Sequence, residues 1–147
     1  MHFYFAYGSN LDNKQMDRRC PSSKILEVGY LKGYYLDFTR FSSKWGGGVA
    51  DVVINKDNEV WGLVYEITKE DLKRLDSCEG YPKIYNRCQC TIHFLKGSSK
   101  EAFVYYVVDK KNFIPPTKVY LDIIKKAGKE HKFADKYLAY LDTIRTI

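Results

Sequence analysis

The sequence predicts an α+β chain built on a curved, barrel-like mixed sheet. Three observations point there. Strand-like stretches dominate the first two thirds, helical stretches are inserted among them and close the chain, and the order is not a regular βαβ alternation. No internal repeat or low-complexity linker divides the 147 residues, so residues 1–147 read as one domain. With 45% hydrophobic and 16% aromatic residues, the composition is that of a folded globular protein.

The elements follow in order. Residues 2–7 are aromatic-rich and uncharged, which predicts a buried opening strand broken by Gly8. Ser9 or Asn10 then caps a helix over residues 11–19, which Pro21 ends. Strand patterns cover residues 25–38, interrupted near Gly33, and residues 49–54. Asn55-Lys56-Asp57-Asn58 reads as a turn, after which residues 59–67 return as a strand, so the pair is expected to form a hairpin. Thr68, with Asp71 three residues on, is a capping pattern; the helix it starts turns Leu72 and Leu75 inward and ends at Gly80. Residues 85–95 and 101–108 are two further strands. Pro115-Pro116 halts the strand pattern, and helices follow over residues 119–127, up to Gly128, and over residues 134–144.

Charge and cysteine usage exclude several classes. A net charge of +6 and a pI near 9.0 suit anionic partners, but the lysines are dispersed and no nucleic-acid motif accompanies them. Nucleic acid is therefore not expected as a partner. No signal-peptide pattern and no run of about 20 apolar residues is present, so no membrane segment is expected. Cys88 and Cys90 share one face of a strand at period 2, which disfavours a bond between them. Four reduced thiols and a cytoplasmic location are the expectation. With no Cys-x-x-Cys and with His2, His93 and His131 far apart, no metal site is expected.

Two strings carry the chemistry. Phe5-Ala6-Tyr7-Gly8-Ser9-Asn10-Leu11 runs a strand into a glycine turn just before a helix, and amide groups there suit an anion or oxyanion. The same pattern also serves as an ordinary helix cap. Leu75-Asp76-Ser77-Cys78-Glu79-Gly80 ends a helix on a carboxylate, where the helix dipole opposes ionisation. Tyr81 and Tyr85 are positioned to strip water from Glu79, and both effects raise its pKa toward that of a general base. The alternative is an exposed glutamate on a loop. Cys78 lacks a nearby histidine and reads as a buried thiol. Trp45-Gly46-Gly47-Gly48 has the wrong spacing for a nucleotide-binding loop and reads as a flexible segment.

Tyr4-Phe5-Ala6-Tyr7-Gly8-Ser9-Asn10-Leu11 resembles the N-terminal signature of the γ-glutamylcyclotransferase-like family. Leu36-Asp37-Phe38, Trp45-Gly46-Gly47-Gly48-Val49-Ala50, Glu59-Val60-Trp61-Gly62, Leu75-Asp76 with Glu79-Gly80, Tyr85 and the helix at residues 123–131 follow in the family's order. The resemblance implies a small mixed β-barrel flanked by helices and a cofactor-free reaction on a small γ-glutamyl substrate. It puts the catalytic glutamate on Glu79 and the substrate-binding loop on Tyr4, Phe5, Ala6, Tyr7, Gly8 and Ser9, with Asn10 adjoining. Tyr85 matches the tyrosine after the catalytic glutamate. A further pocket tyrosine matches Tyr106, with Tyr105 as the alternative. The implied products are 5-oxoproline and a free amino acid. The segment from Gly80 to Arg87 is more similar to the γ-glutamylamine branch, which acts on γ-glutamyl-ε-lysine; the other matches are longer and favour the amino-acid branch. A non-catalytic binding module on the same scaffold is the remaining alternative. Relatives suggest a homodimer, although no residue pattern here requires one.

Overall fold

The computed structural model describes residues 2–147. Strand β1 (His2–Ala6) leads through a 3₁₀ turn (Ser9–Leu11) into α1 (Asn13–Arg19). The long strands β2 (Lys24–Ser42) and β3 (Gly47–Ile67) follow, then α2 (Lys69–Glu79), β4 (Tyr85–Phe94) and β5 (Ser99–Val107). Helices α3 (Lys118–Glu130) and α4 (Asp135–Asp142) close the chain. The strands form a closed barrel in the order β1-β3-β2-β4-β5. β1 lies parallel to β5, with Tyr4 opposite Phe103, while the other pairings are antiparallel. The fold is therefore the expected α+β arrangement, a small mixed barrel with helices around it.

Burial follows the apolar pattern. β1 is flanked by strands on both sides, and Phe5 and Ala6 are fully buried. It sits close to β3 at Gly62, where a Cβ would collide with the Ala6 carbonyl and the Phe5 ring. The capping pattern of α2 is realised: the Thr68 hydroxyl accepts from the Asp71 N–H, and the Asp71 carboxylate accepts from the Thr68 N–H, each at 3.1 Å. Leu75 then anchors the helix in the core, and Gly80 ends it in a left-handed conformation at φ 64°.

Several expectations change. Residues 49–54 and 59–67 do not form a hairpin with each other, because both pair with β2, Tyr34 opposite Ile54 and Lys32 opposite Glu59. Residues 55–58 are an extra loop within β3, set against Gly33 at φ 85° and held by an Asp57 N–H bond to the Asn55 side chain at 3.1 Å. The turn residues are thus used for a bulge that leaves the strand direction unchanged. The hairpin lies instead between Ser42 and Gly47, with Gly46 at φ 75°.

The glycine stretch is packed against the α3 approach. The Gly48 N–H donates to the Pro115 carbonyl at 3.0 Å, and a Cβ on Gly48 would overlap the Ile114 carbonyl. Gly128 does not stop α3 either. It lies inside the helix, where a Cβ would press on Leu138 of the next helix and Phe133 of the connection to it.

Candidate active site

A cavity of about 300 Å³ opens where the end of β1, the β2–β3 turn, the end of α2 and the start of α3 meet. Glu79, the last residue of α2, lines it. Around it stand Tyr4 and Tyr7 from β1 and its exit, Tyr85 at the start of β4, Tyr105 on β5 and Tyr120 on α3. Burial raises the Glu79 carboxyl to about 7, and Arg19, Arg40 and Lys44 pull against that rise. Its carboxyl has no hydrogen-bond partner among the described residues. It is a poorly hydrated acid facing an open cavity, able to exchange a proton near neutrality.

The tyrosines are held by their own hydroxyls. Tyr85 donates to the Ala50 carbonyl at 2.9 Å, while Tyr120 accepts from the Ala50 N–H at 3.0 Å, so one residue of β3 fixes two walls. Tyr7 donates to the Tyr105 carbonyl at 2.6 Å. Burial, the largest cause, pushes the Tyr4, Tyr7, Tyr85 and Tyr120 hydroxyls up, so they stay neutral at ordinary pH. Next to Ala50, Asp51 is fully buried and bonded to Thr39, Lys110 and the Val52 and Val107 N–H groups, which ties β3 to the end of β5.

Gly8, Ser9 and Asn10 line the opposite wall. The Asn10 amide is buried and spoken for: it donates to the Tyr4 hydroxyl at 2.9 Å and accepts from Gln15 at 2.9 Å and Arg19 at 3.0 Å. Gln15 also donates to the Ser9 hydroxyl at 2.8 Å. Neither side chain caps α1, contrary to expectation. The cap is Asp12, which accepts from the Lys14 N–H at 3.1 Å. The Ser9 and Asn10 side chains are drawn toward α1, and Gly8 packs so closely that a Cβ would sit 3.1 Å from both the Ala50 Cβ and the Tyr120 hydroxyl.

Of the residues expected at the site, Glu79, Tyr4, Tyr7, Gly8, Ser9, Asn10 and Tyr85 come together. Phe5 and Ala6 do not line the cavity; both are wholly buried in the barrel. Tyr106 is a correction. Successive residues of a strand face opposite sides, so Tyr105 turns to the cavity while Tyr106 turns away to lie under Lys110, 5.5 Å from its ring centre. Tyr81 does not dry Glu79 either, because its ring stacks on the Arg87 guanidinium at 4.3 Å. Cys78 is exposed at the cavity rim; Cys20 is the buried thiol. Sequence reasoning missed Arg19, Arg40, Lys44, Trp45 and Tyr120. Tyr120 carries the helical-spacing signal of a core residue, and the cations read as ordinary surface charge. No group of three or more His, Cys, Asp or Glu side chains is placed to hold a metal ion among the described residues.

Comparison with known proteins agrees with this geometry. Residues 4–122 match the family model described as gamma-glutamyl cyclotransferase, AIG2-like. Gamma-glutamylcyclotransferase from Bos taurus is 31% identical over 146 residues, covering 96% of this chain and 77% of that protein. The Homo sapiens protein of the same name is also 31% identical with the same coverage. A solved structure described as gamma-glutamyl cyclotransferase superposes with a TM-score of 0.93 at 29% identity, covering 99% of this chain and 89% of that one.

Proposed function

The chain belongs to the gamma-glutamyl cyclotransferase, AIG2-like family, and we propose that it closes γ-glutamyl amino acids into 5-oxoproline, with Glu79 moving the protons. The observation that carries this reading is the position of Glu79: an unpartnered carboxyl, shifted by burial to about 7, facing a cavity bounded by the glycine turn.

The chemistry follows from that arrangement. The substrate binds folded, with its α-ammonium at Glu79 and its γ-carbonyl toward the turn at residues 7–10. The Glu79 carboxylate takes a proton from the ammonium, and the freed amine attacks the γ-carbonyl carbon. The carbonyl electrons move onto oxygen, where turn N–H groups stabilise the charge. As the tetrahedral intermediate collapses, the bond to the departing nitrogen breaks and that nitrogen takes its proton from Glu79. In all, two protons pass from the attacking nitrogen to the leaving one, and the carboxylate is regenerated. No water is consumed, so the step is an internal acyl transfer. Much of the acceleration comes from holding the reacting ends together, which in well-oriented systems is worth ~7–11 kcal/mol.

The tyrosine walls exclude water from the carboxyl without adding a competing charge. The free cysteines support a reducing, cytoplasmic setting in which glutathione-derived γ-glutamyl compounds are available. The test is direct: 5-oxoproline is followed with γ-glutamyl-alanine and γ-glutamyl-ε-lysine as donors, for the wild type and Glu79→Gln. Release from the first donor that is lost in the variant supports the reading. Release from neither donor, or an active Glu79→Gln, refutes it.

A further inference from the structure

The cavity carries more positive charge than its one carboxylate needs. Arg19, Arg40 and Lys44 all line it, and all three act on Glu79. Arg19 is committed, since it donates to the Asn10 side chain at 3.0 Å. Arg40 and Lys44 are different. Neither is in an ion pair among the described residues, whereas Lys110 bonds Asp51 at 2.7 Å and Arg87 bonds Asp76 at 2.8 Å. Arg40 is half-buried near the end of β2, just past a bulge at Thr39, and pairs with Val49 of β3. Lys44 projects from the turn that follows, with its ammonium 5.6 Å from the centre of the Trp45 ring.

Like charges gathered beside one small cavity repel, and a half-buried guanidinium without a partner is costly. Both costs vanish when an anion binds between them, most effectively a carboxylate, which a guanidinium meets in a two-bond fork. A γ-glutamyl amino acid brings two carboxylates. One belongs to the glutamyl half, which the proposed function folds between Glu79 and the glycine turn. The other sits two bonds from the departing nitrogen and has to be met elsewhere. A γ-glutamyl amine has nothing at that place, and γ-glutamyl-ε-lysine carries its second carboxylate at the far end of a butyl chain.

Building on the cyclotransferase reading, we propose that Arg40 and Lys44, on the β2–β3 turn, bind the carboxylate of the departing amino acid and thereby select α-amino-acid leaving groups. Glu79 and the glycine turn act on the glutamyl half that all donors share; the cationic turn reads the half that differs. The device also answers product release: once the amide bond breaks, the new ammonium lies beside two cations, which weakens the hold on the free amino acid.

The experiment compares γ-glutamyl-alanine, γ-glutamyl-alaninamide and γ-glutamyl-ethylamide by 5-oxoproline release. The last two keep the glutamyl half and replace the departing carboxylate by an amide or a hydrogen. Wild-type kcat/KM is expected to fall ~100-fold on losing that charge, because the cations are left unpaired. In Arg40→Gln and Lys44→Gln the ratio between the alanine and alaninamide donors shrinks ~10-fold or more, chiefly through KM, and Arg40→Lys restores part of it. Equal wild-type use of all three donors overturns the proposal while leaving the cyclotransferase reading intact, and needs no variant to fold. Variants that slow every donor by one common factor overturn it as well. A wild type that cyclises none of them sinks the parent reading and this one together.

Discussion

The Tyr105 hydroxyl donates to the Asp76 carboxylate at 2.6 Å, one helical turn before Glu79 on α2. The same carboxylate takes a two-point contact from Arg87, at 2.8 and 3.1 Å, and the Arg87 guanidinium lies over the Tyr81 and Phe103 rings. This cluster clamps the end of α2 to β4 and β5, so the carboxyl of Glu79 has a rigid base. Asp76→Ala removes those bonds and strands a guanidinium that is 19% exposed. The expected loss is ~2–4 kcal/mol of stability, with a fall in kcat as Glu79 loosens. Urea unfolding checks the first part; unchanged stability would show that the clamp carries no weight.

Glu79→Gln keeps the volume of the side chain but cannot exchange a proton. Turnover should fall ~100-fold or more while the melting behaviour at low pH stays that of the wild type. Steady-state kinetics on a γ-glutamyl-alanine donor decides it, and wild-type kcat in the variant would remove Glu79 from the mechanism.

The same carboxyl predicts a pH signature. Burial lifts it from the ordinary 4.5 to about 7, so the folded state keeps its proton where the unfolded chain has lost it. Between those values the native state binds more protons, and stability therefore declines as pH rises. The penalty is complete above about 7, with an upper bound of roughly 3 kcal/mol. Glu79→Gln is thus expected to be more stable than wild type at pH 8, with the difference fading toward pH 4. Activity moves the other way, since kcat/KM rises as the carboxylate forms. Chemical denaturation of the pair at several pH values tests the stability limb; a difference that does not change with pH would mean the carboxyl is well solvated.

Much of this was legible in the residues, and the failures have physical causes. The Thr68 and Asp71 cap, the Gly80 stop and the α+β order carry local signals, and local chemistry decides them. The turn residues at 55–58 were misread because a bulge and a reversal use the same residue types; only the distant partner strand distinguishes them. The Asn10 side chain looked like a cap until Gln15 and Arg19 claimed it. Arg40 and Lys44 gave no warning, since a cation lining a cavity and one in bulk water look the same until the chain closes over them.

Gly8→Ala tests the turn. The added methyl must stand 3.1 Å from the Ala50 Cβ and the Tyr120 hydroxyl, and Tyr120 is held by the Ala50 N–H. One of these walls shifts by a few tenths of an ångström. We expect KM to rise ~10-fold with a smaller change in stability, because misplaced positioning groups cost rate steeply. An unchanged KM would make the turn merely a connection into α1.

Tyr105 and Tyr106 offer the sharpest test of which strand face serves the site. Tyr105→Phe deletes the bond to Asp76 and should cost ~1 kcal/mol of stability, together with a several-fold drop in kcat/KM. Tyr106→Phe removes a hydroxyl from a ring that lies under Lys110 and away from the cavity, so KM should stay within about twofold of wild type. Measuring both variants on one donor separates the faces. If Tyr106→Phe alone raised KM, the strand would have to be rotated by one residue, and the same one-residue slip would carry Val104 and Ala102 onto the face that Tyr105 and Val107 now occupy. The buried state of both side chains, each 1% exposed, sets the stability cost against that alternative.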